Sequence, residues 1–383
     1  MILICELEKY DEAHAEINAA VIATARAAFP EDPVYFLAGR EHSYAVGREL
    51  ERYRIRNVRL EILPNPPEGL QIRKDWHIIR TLRYVFRLFR KSGCSQFLVC
   101  GLNQNLHIYL LILMPKWFVG HCCGLVHRGN YLISSTSPLR LGWLKNLAIH
   151  FLNKKKLRVV VLAPTVARFL NENLAYAGIE IKWIYHPYLF DDETAQRPLN
   201  LKPINFVFLG RTSIQKGFDV FCRLANEISK DFPVQNVAFT LVGGLRWIPK
   251  EYSENGPVHV ASPAHRLSRD DISRHLQKAG YLVMPYMNSL YGKKNTTGTF
   301  LDAVKYLKPI IALKSDDLAH YFEKFGELGF LCQSVEEMKQ ILVDIIQNPP
   351  LKDYSEQQSR LLKARKFLNH KHQKDAFKAL WQD

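Results

Sequence analysis

The sequence lacks the marks of a disulfide-bonded secreted protein and of a membrane-spanning protein. Its seven cysteines are odd in number and scattered through 383 residues, and no signal-peptide pattern precedes the first apolar run. The longest apolar candidate, Leu106–Pro115, is interrupted by His107 and is far shorter than the about 18 residues that a spanning helix needs. Internal repeats and low-complexity segments are also missing. We therefore expect a cytoplasmic protein that does not cross a membrane.

A sequence pattern for metal binding is also lacking. The segment His121-Cys122-Cys123, followed by His127, contains metal-ligating side chains, but no second ligand pair stands at the spacing of a zinc site. We interpret this segment as the end of a buried strand. We accordingly expect neither a metal nor a bound cofactor.

Acidic residues are nearly absent from one part of the chain. Between Leu70 and Arg168 there are sixteen Lys and Arg residues but a single acid, Asp75, so this segment carries the whole formal charge of +15. Such a concentration of positive charge attracts an anionic partner: phospholipid headgroups, a polyprenyl diphosphate or nucleic acid.

The residues that are present fit a globular α/β protein of two domains. With 47% hydrophobic and 23% charged residues, the chain can bury a large core, and its length suits two domains of about 150 residues each. A helical pattern over Asp11–Ala28 follows the first of several short apolar runs. The strand candidates are Ile2–Cys5, Val34–Leu37, Val58–Ile62, Gln96–Cys100, Trp117–Gly120 and Val159–Leu162. This alternation predicts a parallel, doubly wound sheet.

A second alternating series begins after a break at 186–203. Its predicted strands are Ile204–Leu209, Val237–Val242, Val258–Val260, Tyr281–Met284 and Pro309–Leu313, and its helices follow Gly217, Ser268, the turn Asn295–Thr299 and Ser334. We predict two Rossmann-like domains facing a cleft, spanning residues 1–185 and 204–360, with a linker at 186–203. A final helix over 361–383 can cross back to the first domain.

Two cations flank the turn after the first strand of the second series. Gly210-Arg211 follows this strand and Lys216-Gly217 opens the next helix, which is where ligands meet the strand ends of a doubly wound sheet. A guanidinium and an ammonium aimed at a diphosphate would stabilise the charge that develops as it departs. The alternative interpretation is a pair of solvated loop cations.

The turn at residues 295–299 is a second candidate anion site. Its backbone N–H groups precede a helix, so Asn295, Thr296, Thr297, Gly298 and Thr299 offer donors to a phosphate. Asp302, three residues after Thr299, either binds a ribose diol or completes a capping box. These two interpretations remain open.

These two segments resemble the donor-binding motifs of retaining GT-B glycosyltransferases, in particular those of glycosyltransferase family 4. Gly210–Asp219 contains the Gly-Arg pair followed by Lys-Gly, and Asp302–Ala312 is similar to the family pattern Glu-Ala-Met-Ala-x-Gly-x-Pro-Val-Val-Ala. The resemblance extends over about residues 204–345. It implies that Arg211 and Lys216 are catalytic, stabilising the departing diphosphate of a nucleotide-sugar donor without a metal and with retention of configuration.

The chain departs from this family at the sugar end of the pattern. Such enzymes place two glutamates eight positions apart; the second corresponds to Asp302, whereas the first falls on Lys294 or, with a shorter turn, on Asn295. The resemblance thus implies either a divergent mode of sugar recognition or an inactive site. It also implies that His14 and His127 face the donor from the first domain, although both also fit ordinary loop histidines.

The basic half of the chain contains two candidate membrane-surface helices. Asp75–Lys91 combines arginines with aromatic residues, and Leu139–Arg158 sets Trp143 and Phe151 beside Lys154, Lys155 and Lys156. Each alone also fits a core helix with a solvated basic face. Together they predict a protein bound peripherally to the inner face of the cytoplasmic membrane, with a lipid-linked or cell-surface glycan as acceptor in envelope polysaccharide or lipopolysaccharide synthesis.

Two other functions fit parts of the sequence. A non-hydrolysing nucleotide-sugar epimerase shares the fold but needs acid and base carboxylates that we cannot identify. A non-catalytic basic module for membrane or nucleic acid would use the arginine-rich helix, but it leaves the Gly210–Lys216 pattern unexplained. We expect no nucleic-acid partner.

Overall fold

The computed structural model describes residues 1–67, 70–127, 132, 148–149, 151–152, 157–173, 179–190, 195–261, 267–286 and 298–382. The chain forms two compact units. Unit 1 comprises Met1–Leu189 and Phe367–Asp383, and unit 2 comprises Phe190–Lys293 and Thr297–Lys366.

Unit 1 is a parallel sheet covered by helices. Its strands are β1 (Ile2–Glu6), β2 (Val34–Gly39), β3 (Val58–Leu63), β4 (Gln96–Cys100), β5 (Cys122–Leu125), β6 (Arg158–Val161) and β7 (Glu180–Trp183). Its helices are α1 (Ala15–Ala28), α2 (Arg40–Arg52), α3 (Gln71–Lys91), α4 (Gln104–Leu113), α5 (Pro164–Asn173) and, after unit 2, α12 (Lys374–Lys378). The strand order is β3-β2-β1-β4-β5-β6-β7, and every pairing is parallel.

The alternation of side chains along β1 divides the core of unit 1 between the two faces of the sheet. Leu3 and Cys5 belong to one apolar cluster together with residues of α3, α4 and α5. Ile2 and Ile4 belong to the other cluster, with α1 and the C-terminal Phe377 and Leu380. A strand buried on both faces reads as a continuous apolar run, which explains why β1 was recognisable in the sequence.

Unit 2 repeats this architecture. Its strands are β8 (Ile204–Leu209), β9 (Val237–Val242), β10 (Val258–Val260), β11 (Tyr281–Met284), β12 (Ile310–Leu313) and β13 (Gly329–Cys332). Its helices are α6 (Phe218–Asp231), α7 (Arg269–Lys278), α8 (Gly298–Tyr306), α9 (Asp316–Phe325), α10 (Val335–Gln347) and α11 (Leu351–Leu368), whose last two residues belong to unit 1. All pairings in the order β10-β9-β8-β11-β12-β13 are parallel. The prediction of two Rossmann-like domains is confirmed.

Each sheet contains one point at which the strand order reverses. In unit 1 this point lies between β1 and β4, and in unit 2 between β8 and β11. The loops after the two strands diverge there to opposite faces of the sheet and leave a crevice at the strand carboxyl ends, the usual ligand site of such folds. The fold therefore directs attention to the loops after β1, β4, β8 and β11.

One predicted strand was wrong. Residues Trp117–Gly120 do not form a strand; Lys116–Phe118 is a 3₁₀ turn, and the strand of this region is β5, four residues later. The reason is packing: the Phe118 ring meets the rings of Phe86 and Phe89 edge to face, with centroids 4.8 and 4.7 Å apart. The aromatic residue fills a gap beneath α3 instead of joining the sheet.

The two predicted basic helices had different outcomes. The first begins earlier than predicted, as α3, and buries Leu82, Val85, Phe86 and Phe89 on one side. The second is wrong at its end because Arg158 begins β6, where it is buried and its Nε lies 3.2 Å from the Glu180 carboxylate. Lys154, Lys155 and Lys156 lie outside the described residues. In the described part of the chain, no helix is both long and apolar enough to cross a membrane.

Candidate functional site

The loop after β8 depends on two glycines with left-handed backbone. Gly210 has a φ of 112° and Gly217 a φ of 69°, which L-residues with a side chain adopt only with strain. A methyl group added at Gly217 would lie 1.8 Å from the carbonyl oxygen of Pro285, just after β11. The loops on the two sides of the unit 2 reversal point therefore touch, and this contact is possible only without a side chain at residue 217.

The predicted catalytic cation Lys216 lies directly over this loop. It ends a 3₁₀ turn, Ile214–Lys216, that begins at Ser213, whose hydroxyl accepts a hydrogen bond from the Lys216 N–H at 3.3 Å. A methyl group added at Gly210 would lie 2.9 Å from Lys216 Nζ, so the ammonium folds back onto the backbone at the end of β8. The structure thus brings Gly210 and Lys216 together.

The second predicted cation, Arg211, is exposed and lies beside an arginine that the sequence analysis missed. A methyl group at Gly244 would be 3.9 Å from Cγ of both Arg211 and Arg246, so the two side chains flank this glycine at the end of β9. The signal was available in the sequence as an arginine two residues after Gly243-Gly244. Three cations consequently surround the ends of β8 and β9.

Thr212 holds the loops after β8 and β9 together. Its buried hydroxyl accepts hydrogen bonds from two successive N–H groups, Arg246 at 2.9 Å and Trp247 at 2.8 Å. The Thr212 N–H in turn donates to the Gly244 carbonyl at 3.0 Å. This latch orders the backbone from which Arg211 and Arg246 extend.

The position of helix α8 contradicts one of the two interpretations of Asp302. Helix α8 begins at Gly298, so Thr299 lies within the first turn and not at the cap; the capping-box interpretation with Thr299 is therefore wrong. The buried Thr299 hydroxyl lies 3.5 Å from the Leu209 carbonyl and accepts a hydrogen bond from Tyr286 at 3.0 Å. It therefore links α8 to the end of β8. Lys294, Asn295, Thr296 and Thr297 lie outside the described residues.

Asp302 lies close enough to the first residue of α7 to affect its charge. Burial lowers the pKa of Arg269, while the negative charge of Asp302 and the Tyr306 phenol oppose this shift. The Arg269 guanidinium therefore interacts electrostatically with the carboxylate for which a ribose contact is one of the two interpretations. Arg269 was not identified from the sequence because it looked like an ordinary first-turn residue after the Ser268 capping box, which the structure contains.

In unit 1 a buried carboxylate controls the loop after β1. Glu6 is fully buried at the end of the strand and accepts hydrogen bonds from the backbone N–H groups of Glu8 at 2.8 Å and Lys9 at 3.1 Å. Its other oxygen lies 3.2 Å from Asn18 Nδ2. Burial raises the pKa of Glu6 to about 7, against the lowering effect of these hydrogen bonds.

The same network reaches the far side of the loop through His42. Asn18 Nδ2 lies 2.8 Å from His42 Nε2, and His42 Nδ1 lies 2.7 Å from the Asp11 carbonyl. Because a carbonyl accepts only, Nδ1 carries the proton and Nε2 accepts from Asn18, and burial lowers the pKa of His42. Three buried side chains therefore anchor the loop at Glu8, Lys9 and Asp11. No sequence pattern marked Glu6, Asn18 or His42.

The two predicted histidines of unit 1 are in contact. The imidazole rings of His14 and His127 meet edge to face with centroids 4.7 Å apart. His186 lies near this pair: its pKa is lowered to about 4, mainly by burial, with a smaller contribution from His14. The start of α1 and the segment after β5 thus meet at His14 and His127.

Neither a metal site nor a reactive thiol is present among the described residues. No group of three or more His, Cys, Asp or Glu side chains there is arranged to hold a metal ion. All seven cysteines are buried and unbridged. Burial raises the pKa of both Cys122 and Cys123, so neither thiol is a ready nucleophile or ligand.

Comparison with known proteins reveals likeness in structure but not in sequence. No protein-family model matches the chain, and no curated protein sequence does. Anabaena HepE, solved with UDP and glucose, has a TM-score of 0.67 at 14% identity over 98% of each chain. WaaG, a glycosyltransferase involved in lipopolysaccharide biosynthesis, has a TM-score of 0.62 at 13% identity over 98% of each chain. Trehalose-6-phosphate synthase from Burkholderia multivorans has a TM-score of 0.63 at 8% identity over 100% of this chain and 98% of the synthase. Two parallel, helix-covered sheets and these neighbours show that the chain has the GT-B fold.

Proposed function

We propose that the chain is a glycosyltransferase that moves a sugar from a nucleoside-diphosphate donor. The observation that carries this proposal is the position of Lys216 Nζ against Gly210, beside Arg211, at the reversal point of the unit 2 sheet. The similar structures support it, since HepE has been solved in complex with UDP-glucose. UDP-sugars are accordingly the first donors to test.

The three cations suit the chemistry of the departing group. As the bond between the anomeric carbon and the phosphate oxygen breaks, negative charge develops on the diphosphate. An ammonium and a guanidinium placed there stabilise the transition state more than the ground state. Arg211 offers planar paired donors and Lys216 a point charge. Arg246, which also lies next to Gly244, adds positive potential to the same site.

The family resemblance adds finer expectations to this proposal. It implies retention of the anomeric configuration without a metal, with Gly298, Thr299 and the turn before them contacting the phosphates. It also implies that Asp302 accepts hydrogen bonds from the ribose hydroxyls. The Arg269 guanidinium interacts electrostatically with Asp302 and would help to orient that carboxylate toward the ribose.

The acceptor and the location follow from the charge of unit 1. Helix α3 exposes Arg80, Arg83, Arg87, Arg90 and Lys91, a charge pattern that attracts an anionic membrane surface. We propose a lipid-linked or cell-surface glycan as acceptor and peripheral association with the cytoplasmic face of the membrane. WaaG, similar in fold, acts in lipopolysaccharide biosynthesis, which agrees with a role in envelope polysaccharide assembly.

Calorimetric titration with UDP, GDP, ADP and uridine tests the donor site without knowledge of the acceptor. We expect one diphosphate to bind far more tightly than its nucleoside, and Arg211→Ala and Lys216→Ala to remove most of that difference. Lys230→Ala, a change of equal charge at the exposed end of α6, is the control. If all three variants bound the diphosphate as tightly as the wild type does, Arg211 and Lys216 would not form the diphosphate site. Incubation with the donor alone distinguishes a glycosyltransferase from an epimerase, because an epimerase would change the configuration of the sugar without an acceptor.

A further inference from the structure

The outer side of β3 is an open sheet edge in unit 1. In the strand order β3 is terminal, and no other strand of the described residues pairs with its outer side. Its inner side pairs with β2, where the Val34 N–H donates to the Asn57 carbonyl at 3.4 Å. Backbone groups that bond one neighbouring strand alternate along β3 with groups directed away from it. The N–H and C=O groups of Val58, Leu60 and Ile62 therefore form a row along the outer edge.

Apolar side chains of β3 are exposed on the face of the sheet that α2 covers. Leu60 is 41% exposed and Ile62 is 45% exposed. Gly47 of α2 lies close to Leu60, because a methyl group added there would be 3.2 Å from the leucine Cδ1. Tyr44, one turn before Gly47 on the same side of that helix, is 59% exposed. An open edge with exposed apolar side chains favours pairing with another strand.

Two side chains of opposite charge extend from β3 on the other face of the sheet. The Arg59 guanidinium donates to the Tyr35 hydroxyl at 2.9 Å and lies 5.4 Å from the centroid of the same ring. The Glu61 carboxylate accepts a hydrogen bond from the Tyr84 hydroxyl of α3. Each charge is thus oriented by a tyrosine. Charges on an edge strand oppose unselective pairing, but two opposite charges two residues apart can also select one partner.

One antiparallel register of β3 with a second copy of itself pairs these charges with each other. With Leu60 opposite Leu60 of the second copy, Arg59 of each copy lies opposite Glu61 of the other. The outward groups of Val58, Leu60 and Ile62 then meet in hydrogen-bonded pairs. The charged residues fall at the non-hydrogen-bonded positions, where side chains of opposite strands approach most closely. Registers centred on Arg59 or on Glu61 would bring like charges together.

We propose that β3 pairs antiparallel with β3 of a second copy of this chain, in the register centred on Leu60. The contact joins the two seven-stranded sheets of unit 1 into one continuous sheet. Backbone hydrogen bonds hold the edge, two Arg59–Glu61 pairs lie on one face, and Leu60 and Ile62 lie on the other. The paired edge is two strands away from the reversal point between β1 and β4. The proposal is therefore independent of the proposed function.

Charge reversal tests both the edge and its register. Full-length wild type, Arg59→Glu, Glu61→Arg and the double swap Arg59→Glu/Glu61→Arg are compared by sedimentation velocity over a range of concentrations. The wild type should be a dimer that dissociates on dilution. Each single reversal should raise the Kd of the dimer by roughly 30-fold, because two opposite-charge pairs become like-charge pairs, whereas the double swap should restore association. A wild type that is monomeric at every concentration, or a double swap as weak as the single variants, would overturn the proposal.

A mixture of the two single variants tests the register directly. Arg59→Glu carries two acids and Glu61→Arg two bases at these positions, so each variant repels itself but complements the other. An equimolar mixture should form a heterodimer with an affinity close to that of the wild type, measured by native mass spectrometry and sedimentation. Restored association would also show that both variants are folded. A mixture that stays monomeric would contradict the register.

Control variants separate the edge from the net charge of the protein. Lys230→Glu and Glu254→Arg make the same changes of charge at exposed positions in unit 2, and both should dimerise as the wild type does. Weaker dimers in these controls would assign the effect to net charge and overturn the proposal. Leu60→Lys sets two ammonium groups opposite each other at the centre of the register and should abolish the dimer, with thermal unfolding measured on every variant. An unchanged dimer in Leu60→Lys would place the contact elsewhere.

Discussion

The rings of His14 and His127 meet edge to face at 4.7 Å in unit 1, although 113 residues separate them in the chain. His14 owes its position to a left-handed backbone, with a φ of 68°, at the start of α1. His127 follows β5 by two residues. The structure thus brings into contact two histidines that were separate candidates in the sequence.

If this pair faces the transferred sugar, His127→Ala should slow transfer without weakening donor binding. We expect kcat to fall by about 10²-fold, the loss typical of one preorganised donor, with an unchanged Kd for the nucleoside diphosphate. His372→Ala, at an exposed position in unit 1, serves as control. A change in diphosphate affinity with no change in kcat would exclude a role in the transfer step.

Loss of either predicted cation should affect catalysis more than folding. Arg211→Ala and Lys216→Ala should each lower kcat by about 10²- to 10³-fold, because each removes charge stabilisation from the departing diphosphate. Lys216→Arg keeps the charge but not the compact ammonium over Gly210, and it should recover only part of the activity. Steady-state rates and thermal unfolding of the same samples test this. Full activity in both alanine variants would rule out the diphosphate role.

Gly217→Ala should destabilise unit 2 by more than its backbone strain alone. The added methyl would meet the Pro285 carbonyl at 1.8 Å, so the loops after β8 and β11 must separate. Gly120→Ala is the matched control, since its φ is 87° but nothing lies within 4 Å of the added methyl. We expect about 1 to 2 kcal/mol for Gly120→Ala and at least about twice that for Gly217→Ala, measured by urea unfolding. Similar losses of unfolding free energy in the two variants would show that the loops after β8 and β11 can separate at little energetic cost.

Thr212→Val should loosen the latch between the loops after β8 and β9. The methyl fills the space of the hydroxyl, but the N–H groups of Arg246 and Trp247 lose their acceptor. A lost buried partner costs about 1 to 3 kcal/mol, and the diphosphate affinity should fall as Arg246 loses its anchored backbone. Thr212→Ser keeps the acceptor and should restore both quantities. If the Thr212→Val variant binds the diphosphate as tightly as Thr212→Ser does, the hydrogen bonds of Thr212 do not position the binding site.

Glu6→Gln should remove a specific pH dependence of stability. The pKa of Glu6 is raised from 4.5 to about 7, so between these values the folded protein holds a proton that the unfolded chain has lost. The free energy of unfolding then falls as pH rises through this window, by roughly 3 kcal/mol in total. The difference in unfolding free energy between wild type and Glu6→Gln, measured from pH 4.5 to 8, should show this slope. Glu31→Gln, at an exposed carboxylate, should not alter the slope.

Several elements were predictable because their signals are local. The strands β4, β8, β9 and β11 have the bounds that the apolar runs indicated, since a strand buried on both faces needs apolar side chains on both. Ser268 and Ser334 cap α7 and α10 as predicted, because capping involves only a few neighbouring residues. The Gly210–Lys216 turn was recognisable for the same reason.

Other elements were missed because their signals are weak or distant. The edge strands β7 and β13 are only four residues long, and β7 alternates charged and apolar residues, so it lacks a continuous apolar run. Trp117–Gly120 has the composition of a strand, but the packing of Phe118 against Phe86 and Phe89 decides its conformation. Composition cannot reveal which ring fills a gap beneath a helix.

The sequence by itself determined the class of the fold and the cations of the candidate donor site, because apolar periodicity and a glycine-rich turn act within a few residues. Only the tertiary structure decided what those cations lie beside. It placed Arg246 and Arg211 beside the same glycine, Gly244, Arg269 near Asp302, and His14 against His127, and it surrounded Glu6 with donors from its own loop and from α1. These relationships depend on which strands become neighbours, and burial and distance between remote residues exist only once the sheets have formed.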